Sequence, residues 1–136
     1  MKTLKLKNNQ LDMLIKILDG DLPFTRSRRR KIFVDILITK IKAREEARLA
    51  LIKKFGKKDD KGEVMLKDNH FEIENMEEFN KEFSVLYTED VVFDIPPSVE
   101  EVLPVIKDLV KNTDIVVKHQ EVDMVEDIIK SFDNIA

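Results

Sequence analysis

The fold is decided by one stretch of thirty residues, Arg26 to Phe55, which reads RSRRRKIFVDILITKIKAREEARLALIKKF. It contains no proline and no glycine, and Gly56 follows it directly. The stretch therefore predicts one long helix that runs from about Arg26 and ends at Phe55. Thirty helical residues span about 45 Å, so this helix is longer than a small domain is wide.

Apolar residues are unevenly distributed along this helix. The first half is apolar on several sides, and we expect it to be buried; its apolar residues are Ile32, Phe33, Val34, Ile36, Leu37, Ile38 and Ile41. The second half carries the small residues Ala43, Ala47 and Ala50 among charged ones. Small residues let another helix approach closely, so we expect pairing with the preceding helix or with a second copy of the chain. A symmetric homodimer through the long helix is the favoured form of self-association.

Shorter elements flank the long helix. Before it, Thr3 to Lys7 alternates like an edge strand or an extended lead-in, and residues 11–18 have helical spacing that Gly20 ends. After it, alternation on both sides of Asp68-Asn69 predicts a β-hairpin. Further patterns predict a helix opened by Asn75, a strand at 91–95, a helix interrupted near Pro104, a strand at 113–118 and a helix from about Glu121.

These elements predict a helix-dominated α+β fold. It has a long N-terminal helical hairpin, with a small β-hairpin and short strands in the C-terminal half. At 136 residues, 43% of them hydrophobic, the chain can fill one core and hardly a second, so we expect a single domain over residues 1–136.

Composition also bears on compartment and chemistry. The apolar run Ile36 to Ile38 is far shorter than the roughly 20 residues that cross a bilayer, and the first residues do not resemble a secretory signal. We therefore expect a cytoplasmic protein without membrane attachment. The chain has no cysteine, which excludes disulfides, thiolate metal ligands and a cysteine nucleophile.

Charge is divided along the chain although the net charge is only −3. Residues 1–58 form a basic helical part with 17 Lys and Arg against 6 Asp and Glu. Residues 59–136 form an acidic α+β part with 7 against 21. Unequal halves indicate either a charged partner or two faces that meet each other.

The densest basic segment lies at the predicted start of the long helix, and we predict that it binds a partner through Arg26, Arg28, Arg29, Arg30 and Lys31. Further cations extend the basic character along the helix at Lys40, Lys42, Arg44, Arg48, Lys53 and Lys54. Such a segment can neutralise phosphates, so nucleic-acid binding is the second hypothesis. Two observations oppose it: aromatic residues do not interleave with the basic ones, and the whole chain is acidic. The plain structural alternative is a solvated helix end, or docking on the chain's own acidic half.

The opposite pole of the predicted partner-binding surface is acidic and consists of Glu77, Glu78, Glu100 and Glu101. Paired carboxylates can hold Mg²⁺ or act as acid and base, but neighbours in sequence point in different directions. His70 and His119 are isolated, and no nucleophile, zinc or phosphate-loop motif occurs. We therefore predict no catalytic residue, metal or cofactor, and keep an unrecognised metal-dependent enzyme as the third hypothesis.

Several short motifs follow one another in a particular order: Leu6 to Leu11, Ser27 to Arg30, Glu45-Glu46, Lys58 to Gly62 and Phe79 to Phe83. This order resembles a family of small uncharacterised proteins encoded by bacteriophages of Gram-positive bacteria. The resemblance covers about the first two thirds of the chain. It implies a phage context and the cytoplasm of a host cell, and it implies no activity.

Together these observations predict a non-catalytic protein-interaction module. In the phage context that the resemblance implies, it is an accessory protein that modulates a host protein or assists virion assembly. Its partner is then a host or viral protein, which the two charged poles would meet through electrostatic complementarity.

Overall fold

The computed structural model describes residues 2–135, of which about 63% are helical. Four strands and six α-helices form in these residues. They are β1 (Lys2–Lys7), α1 (Leu11–Leu18), α2 (Phe24–Phe55), β2 (Leu66–Lys67), β3 (His70–Phe71), α3 (Met76–Thr88), β4 (Asp90–Ile95), α4 (Pro97–Glu100), α5 (Leu103–Lys111) and α6 (Val122–Asp133). The predicted helix-dominated α+β class is confirmed. None of the described helices combines the length and apolar composition needed to cross a membrane.

The chain divides into two compact units. The first consists of the residues up to Ile41 and those from Asp90 onward, and the second consists of Lys42–Glu89. Helix α2 contributes to both, because it runs through the boundary between Ile41 and Lys42. This boundary differs from the division of charge after residue 58.

The two units are each close to neutral. The first contains 14 Lys and Arg against 15 Asp and Glu, and the second contains 10 against 12. Each unit draws on both the basic and the acidic half of the sequence. Charge is therefore segregated along the chain without being segregated between the two units.

The core of the first unit is built on an antiparallel pair of strands, β1 and β4. Their register places Leu4 opposite Phe93 and Leu6 opposite Val91, so one face of the pair is apolar. Leu4, Leu6 and Phe93 are buried in a core to which α1, α5 and α6 also contribute. The alternation at residues 3–7 therefore forms a strand rather than an extended lead-in.

Helix α2 meets this core through a single stripe. Phe33 stacks on Phe93 with ring centroids 6.0 Å apart, and Leu37 is buried one turn later. Ile32 and Ile38 lie on other sides of the helix and are 43% and 40% exposed. The prediction that this half of the helix is buried on several sides was wrong, because only one side of α2 faces the core.

The segment 113–118 also differs from its prediction as a strand. Its burial alternates, since Ile115 and Val117 are half-buried while Val116 is 92% exposed. It forms no ladder with any other described segment. Alternation alone does not make a strand, because a strand also needs a partner for its backbone hydrogen bonds.

The proline-rich region behaves as expected. A short helix, α4, precedes α5, and Pro104 lies in the first turn of α5. A proline is tolerated at that place, because the first N–H groups of a helix have no partner within the helix. The interruption near Pro104 is thus a break between two helices.

The second unit contains the end of α2, the β2–β3 hairpin and α3. Asp68 and Asn69 have φ angles of +52° and +64°, as the tightest hairpin turns require, so the predicted hairpin is confirmed. The N–H of Glu78 donates to the Oδ1 of Asn75 at 3.2 Å, which confirms Asn75 as the cap of α3. Of the described hydrophobic residues in this unit, only Ile52 and Leu86 are buried, and both keep a small exposed fraction.

Candidate partner-binding groove

The predicted basic segment occupies the first turns of α2, next to the end of α1. The turn between these helices passes through Gly20, whose φ of +143° favours glycine. Arg30 donates from Nη1 to the carbonyl oxygens of Leu18 at 2.7 Å and Gly20 at 2.8 Å. Its Nη2 donates to the Oγ of Ser27 at 3.2 Å. Arg30 therefore links the start of α2 to the end of α1 through hydrogen bonds.

Between these two helix ends lies an open groove of about 430 Å³, which we call the Phe24 groove. Its apolar lining consists of Ile15, Leu18, Phe24 and Val34, and its polar lining of Asp19, Ser27, Arg28, Arg30 and Lys31. Phe24 is 80% exposed although it is a large aromatic residue. Arg28 and Lys31 follow Phe24 by one and two helical turns, which places all three on one face of α2.

The charge of the Phe24 groove is mostly positive. Arg28 is exposed, and Lys31 is exposed while forming an ion pair with Asp35 at 2.8 Å. Asp19 is the one carboxylate among the described residues that line the groove. An exposed ion pair is weak in water, so Lys31 can exchange Asp35 for another carboxylate at little cost.

The other two predicted cations lie outside the groove lining. Arg26 forms an ion pair with Asp108, with Nη2 and Oδ2 2.7 Å apart. Arg29 is exposed and does not line the groove. Arg28, Arg30 and Lys31 therefore lie together at one groove. Arg26 instead forms an ion pair with Asp108, a residue of the acidic half of the sequence.

The four predicted glutamates are divided between the two units, two in each. Glu77 and Glu78 lie in the first turn of α3, in the second unit, where negative charge favours a helix start. In the first unit, Glu100 forms an ion pair with Lys2 at 3.1 Å and Glu101 is exposed at the end of α4.

One cation farther along α2 differs from the prediction of an extended basic surface. Arg44 is buried, and its guanidinium carbon lies 5.3 Å from the ring centroid of Tyr87. Its Nη2 is 3.5 Å from the Oε1 of Glu45. Arg44 is therefore a packing residue of the second unit, because its charge faces a ring and a carboxylate instead of solvent.

Sequence reasoning missed the apolar half of the groove. Phe24 reads as part of a turn, and the pattern assigns Ile15, Leu18 and Val34 to the core alone. A usable signal was the spacing of Phe24, Arg28 and Lys31, which puts an aromatic residue on the same helix face as two cations. The groove as a whole required α1 and α2 to be placed together.

The histidines and carboxylates show no metal-binding arrangement in the described part of the chain, where no group of three or more of them could hold an ion. His70 lies in β3 and His119 in a one-turn 3₁₀ helix, and both are exposed.

Comparison with known proteins finds no protein-family model, curated protein or solved structure that matches this chain. The interpretation of the Phe24 groove therefore depends on its own residues.

Proposed function

We propose that this chain is a non-catalytic protein-interaction module that binds an acidic, amphipathic segment of a protein partner in the Phe24 groove. One observation carries this proposal: an apolar floor and a cationic rim lie together in one open groove. An amphipathic helix presents the matching pattern, with apolar residues three and four positions apart and acidic residues beside them.

The apolar floor supports the proposal through Phe24. Its side chain is 80% exposed, so its burial by a partner removes apolar surface from water at about 25 cal/mol per Å². Aromatic and arginine side chains carry much of the binding energy in protein interfaces. Phe24 provides an aromatic side chain and Arg28 an arginine side chain on the same face of α2.

The rim supports a partner of negative charge. Arg28 and Lys31 border the apolar floor, and only Asp19 opposes them among the described lining residues. Complementary charge speeds encounter and fixes orientation more than it raises affinity. The acidic residues of the partner would therefore determine which way its helix lies in the groove.

The biological setting belongs to the same proposal. We extend it to the phage context inferred from the order of the sequence motifs, in which the partner is a host protein or a component of the virion. In either case the chain would act by occupying a surface of its partner and not by chemical conversion.

Single-stranded nucleic acid is the second candidate ligand, and one observation favours it. Phe24 is exposed beside Arg28, and an aromatic ring next to a guanidinium is a common platform for a base and its phosphate. The floor of the groove opposes this candidate, because Ile15, Leu18 and Val34 are aliphatic and offer no ring for further stacking. The near-neutral charge of the first unit also opposes it.

The proposal is tested with a designed fifteen-residue helical peptide that carries Leu on one face and Glu on the other. Titration of the isotopically labelled full chain, followed by NMR, should shift the methyl signals of Ile15, Leu18 and Val34 with a dissociation constant below about 1 mM. A peptide with Lys in place of Glu is the matched control and should bind at least several-fold more weakly. No shift at these methyl groups with the acidic peptide would contradict the proposal.

Two neighbouring arginines provide the matched variants. Arg28→Gln and Phe24→Ala should each weaken peptide binding about tenfold or more, because both side chains line the groove. Arg29→Gln should leave binding nearly unchanged, because Arg29 is exposed outside the groove. Equal losses for Arg28→Gln and Arg29→Gln would indicate general charge attraction. Tighter binding of oligo(dT) than of the peptide, falling steeply with salt, would favour the second candidate.

A further inference from the structure

The segment 113–118 is extended and lacks the strand partner that its alternating sequence predicts. It joins α5 to the one-turn 3₁₀ helix that precedes α6. The side chains of Ile115 and Val117 pack against the core of the first unit, while Val116 between them is 92% exposed. Val116 is the most exposed of the large hydrophobic residues that the structure describes. The segment therefore has an inner face that is anchored on the core and an exposed outer face.

The backbone of this segment has few hydrogen-bond partners within the chain. It forms no ladder or bridge with another described segment, and no backbone group of Val116 or Val117 bonds to any other described residue. An extended backbone with unpaired N–H and C=O groups is a template for another strand. Because the extended conformation is already formed, pairing would cost little further conformational entropy.

The outer face of the segment is complementary to itself. Its exposed residues are Asp114, Val116 and Lys118, which are acidic, apolar and basic in chain order. Neither Asp114 nor Lys118 forms an ion pair with another described residue. In an antiparallel pair about a two-fold axis at Val116, each Asp114 lies opposite Lys118 of the other copy, and the two valines lie opposite each other. A parallel pair in register would oppose like charges instead.

We propose that residues 113–118 pair antiparallel with the same residues of a second copy of this chain. The opposite charges select the antiparallel direction, and the two-fold axis at Val116 sets the register of an isologous interface. A second copy is the occupant that the pattern favours, because the segment itself supplies both of the charges that its partner needs. Residues 113–118 do not line the Phe24 groove, so this inference and the proposed function can fail independently.

Hydrogen bonding determines which edge of the segment would pair. Amide groups alternate between the two edges of an extended chain, so Ile115 and Val117 share one edge and Lys118 belongs to the other. The N–H of Lys118 donates to Oε1 of Glu121 at 2.9 Å, whereas the N–H of Ile115 makes only a long bond of 3.3 Å to a side-chain hydroxyl. The ladder therefore uses Ile115 and Val117. The two Val116 residues then occupy a non-hydrogen-bonded position, with their Cα atoms about 4.5 Å apart.

The size of this interface predicts a weak dimer. Six residues of each copy bury much less than the roughly 800 Å² per partner of a standard interface, so we expect a Kd of about 0.1–1 mM. Sedimentation equilibrium of the full chain, at concentrations up to about 2 mM, measures it. A chain that stays monomeric at the highest concentration would overturn the proposal.

Exchange of the two charges tests the register. Asp114→Lys and Lys118→Asp each place like charges opposite one another twice in the dimer, and each should raise its Kd about threefold or more. The double variant Asp114→Lys/Lys118→Asp has the net charge of the wild type and restores opposite charges, so its Kd should return to within about twofold of the wild-type value. If the double variant instead shows the summed losses of the two single variants, the antiparallel register is wrong.

A cross-link tests the two-fold axis. The chain has no cysteine, so Val116→Cys introduces its only thiol at an exposed position. A Cα separation of about 4.5 Å across the axis lies within the range of disulfides. In a glutathione buffer, Val116→Cys should form a covalent dimer about tenfold faster or more than Leu66→Cys, a matched control whose native side chain is 60% exposed.

A third cysteine variant distinguishes this dimer from self-association through the long helix, which the sequence predicts. Ala50→Cys lies on α2 and should cross-link no faster than the Leu66→Cys control. Faster cross-linking of Ala50→Cys than of Val116→Cys would favour the long helix and overturn the proposal, as would equal rates for all three variants. Far-UV circular dichroism shows that each variant keeps its helices.

Discussion

The guanidinium of Arg30 donates a hydrogen bond from Nη1 to the carbonyl oxygen of Leu18, 2.7 Å away. Leu18 is the last residue of α1, and the carbonyl groups in the last turn of a helix have no partner within the helix. A cation placed there is also favoured by the helix dipole. Arg30, which the sequence presents as one of five equivalent partner-binding cations, thus has a structural task that its neighbours lack.

This task predicts a difference between two adjacent arginines. Arg30→Gln should lower the free energy of unfolding by about 1–3 kcal/mol, because the carbonyl oxygens of Leu18 and Gly20 lose a charged donor. Arg29→Gln should change it by less than about 0.5 kcal/mol, as is usual for an exposed side chain. Urea denaturation of both variants measures the difference. Equal stabilities would show that the Arg30 hydrogen bonds contribute nothing.

A second contrast concerns two phenylalanines of α2. Phe33 is buried between the rings of Phe93 and Phe132, each with its centroid 6.0 Å away. Phe33→Ala should destabilise the chain by about 3–5 kcal/mol, through lost burial and the cavity left behind. Phe24→Ala should cost less than about 1 kcal/mol, because Phe24 is mostly exposed. Thermal unfolding followed by circular dichroism distinguishes them, and similar losses for both would contradict the burial of Phe33.

A third prediction concerns the close approach at Gly56. A Cβ added there would overlap the carbonyl oxygen of Ile52 and lie 2.5 Å from Cγ1 of Val64. Gly56→Ala should therefore destabilise the chain by about 1–3 kcal/mol.

Removal of the clashing side chain provides the control for this prediction. In the double variant Gly56→Ala/Val64→Ala, the clash with Val64 is gone and the clash with the Ile52 carbonyl remains. The loss of stability should be smaller than the sum of the two single losses, as measured by denaturation. If the loss of stability in the double variant equals the sum of the two single losses, the Val64 side chain moves away from the added Cβ without cost.

A fourth prediction concerns the ion pair between Arg26 and Asp108. The two side chains are half exposed, so their 2.7 Å contact should contribute only about 0.2–1 kcal/mol. A double-mutant cycle with Arg26→Ala and Asp108→Ala measures this coupling, which should fall further as salt is raised from 0.05 to about 0.5 M. A coupling above about 2 kcal/mol at high salt would show that the pair is far less solvated than its exposure indicates.

The elements that local sequence determines were predictable. The long helix follows from thirty residues without a breaker, and the β2–β3 hairpin follows from Asp68-Asn69, two residues that tolerate positive φ. Both depend on residues that are neighbours in sequence. Their physical causes, backbone sterics and turn geometry, act over a few residues and are therefore visible in the sequence itself.

The contacts that each charged or apolar side chain makes could not be predicted from the sequence in the same way. Arg30, Arg44 and Arg28 look alike in sequence. Yet Arg30 bonds to the end of α1, Arg44 lies buried over Tyr87, and Arg28 lines the Phe24 groove. The segment 113–118 alternates as a strand does and remains unpaired within the described chain. Each of these contacts depends on which residue, distant in sequence, the folded chain places next to the side chain or segment.

By itself, then, the sequence determined the helices, the hairpin and the absence of cysteine chemistry, because these follow from residue type and short-range spacing. Only the tertiary structure decided which cations face solvent, which side of α2 is buried and where the Phe24 groove lies. The physical reason is that burial and ion pairing are properties of contacts between remote segments. Such contacts exist only after the chain has folded, and no local pattern specifies them.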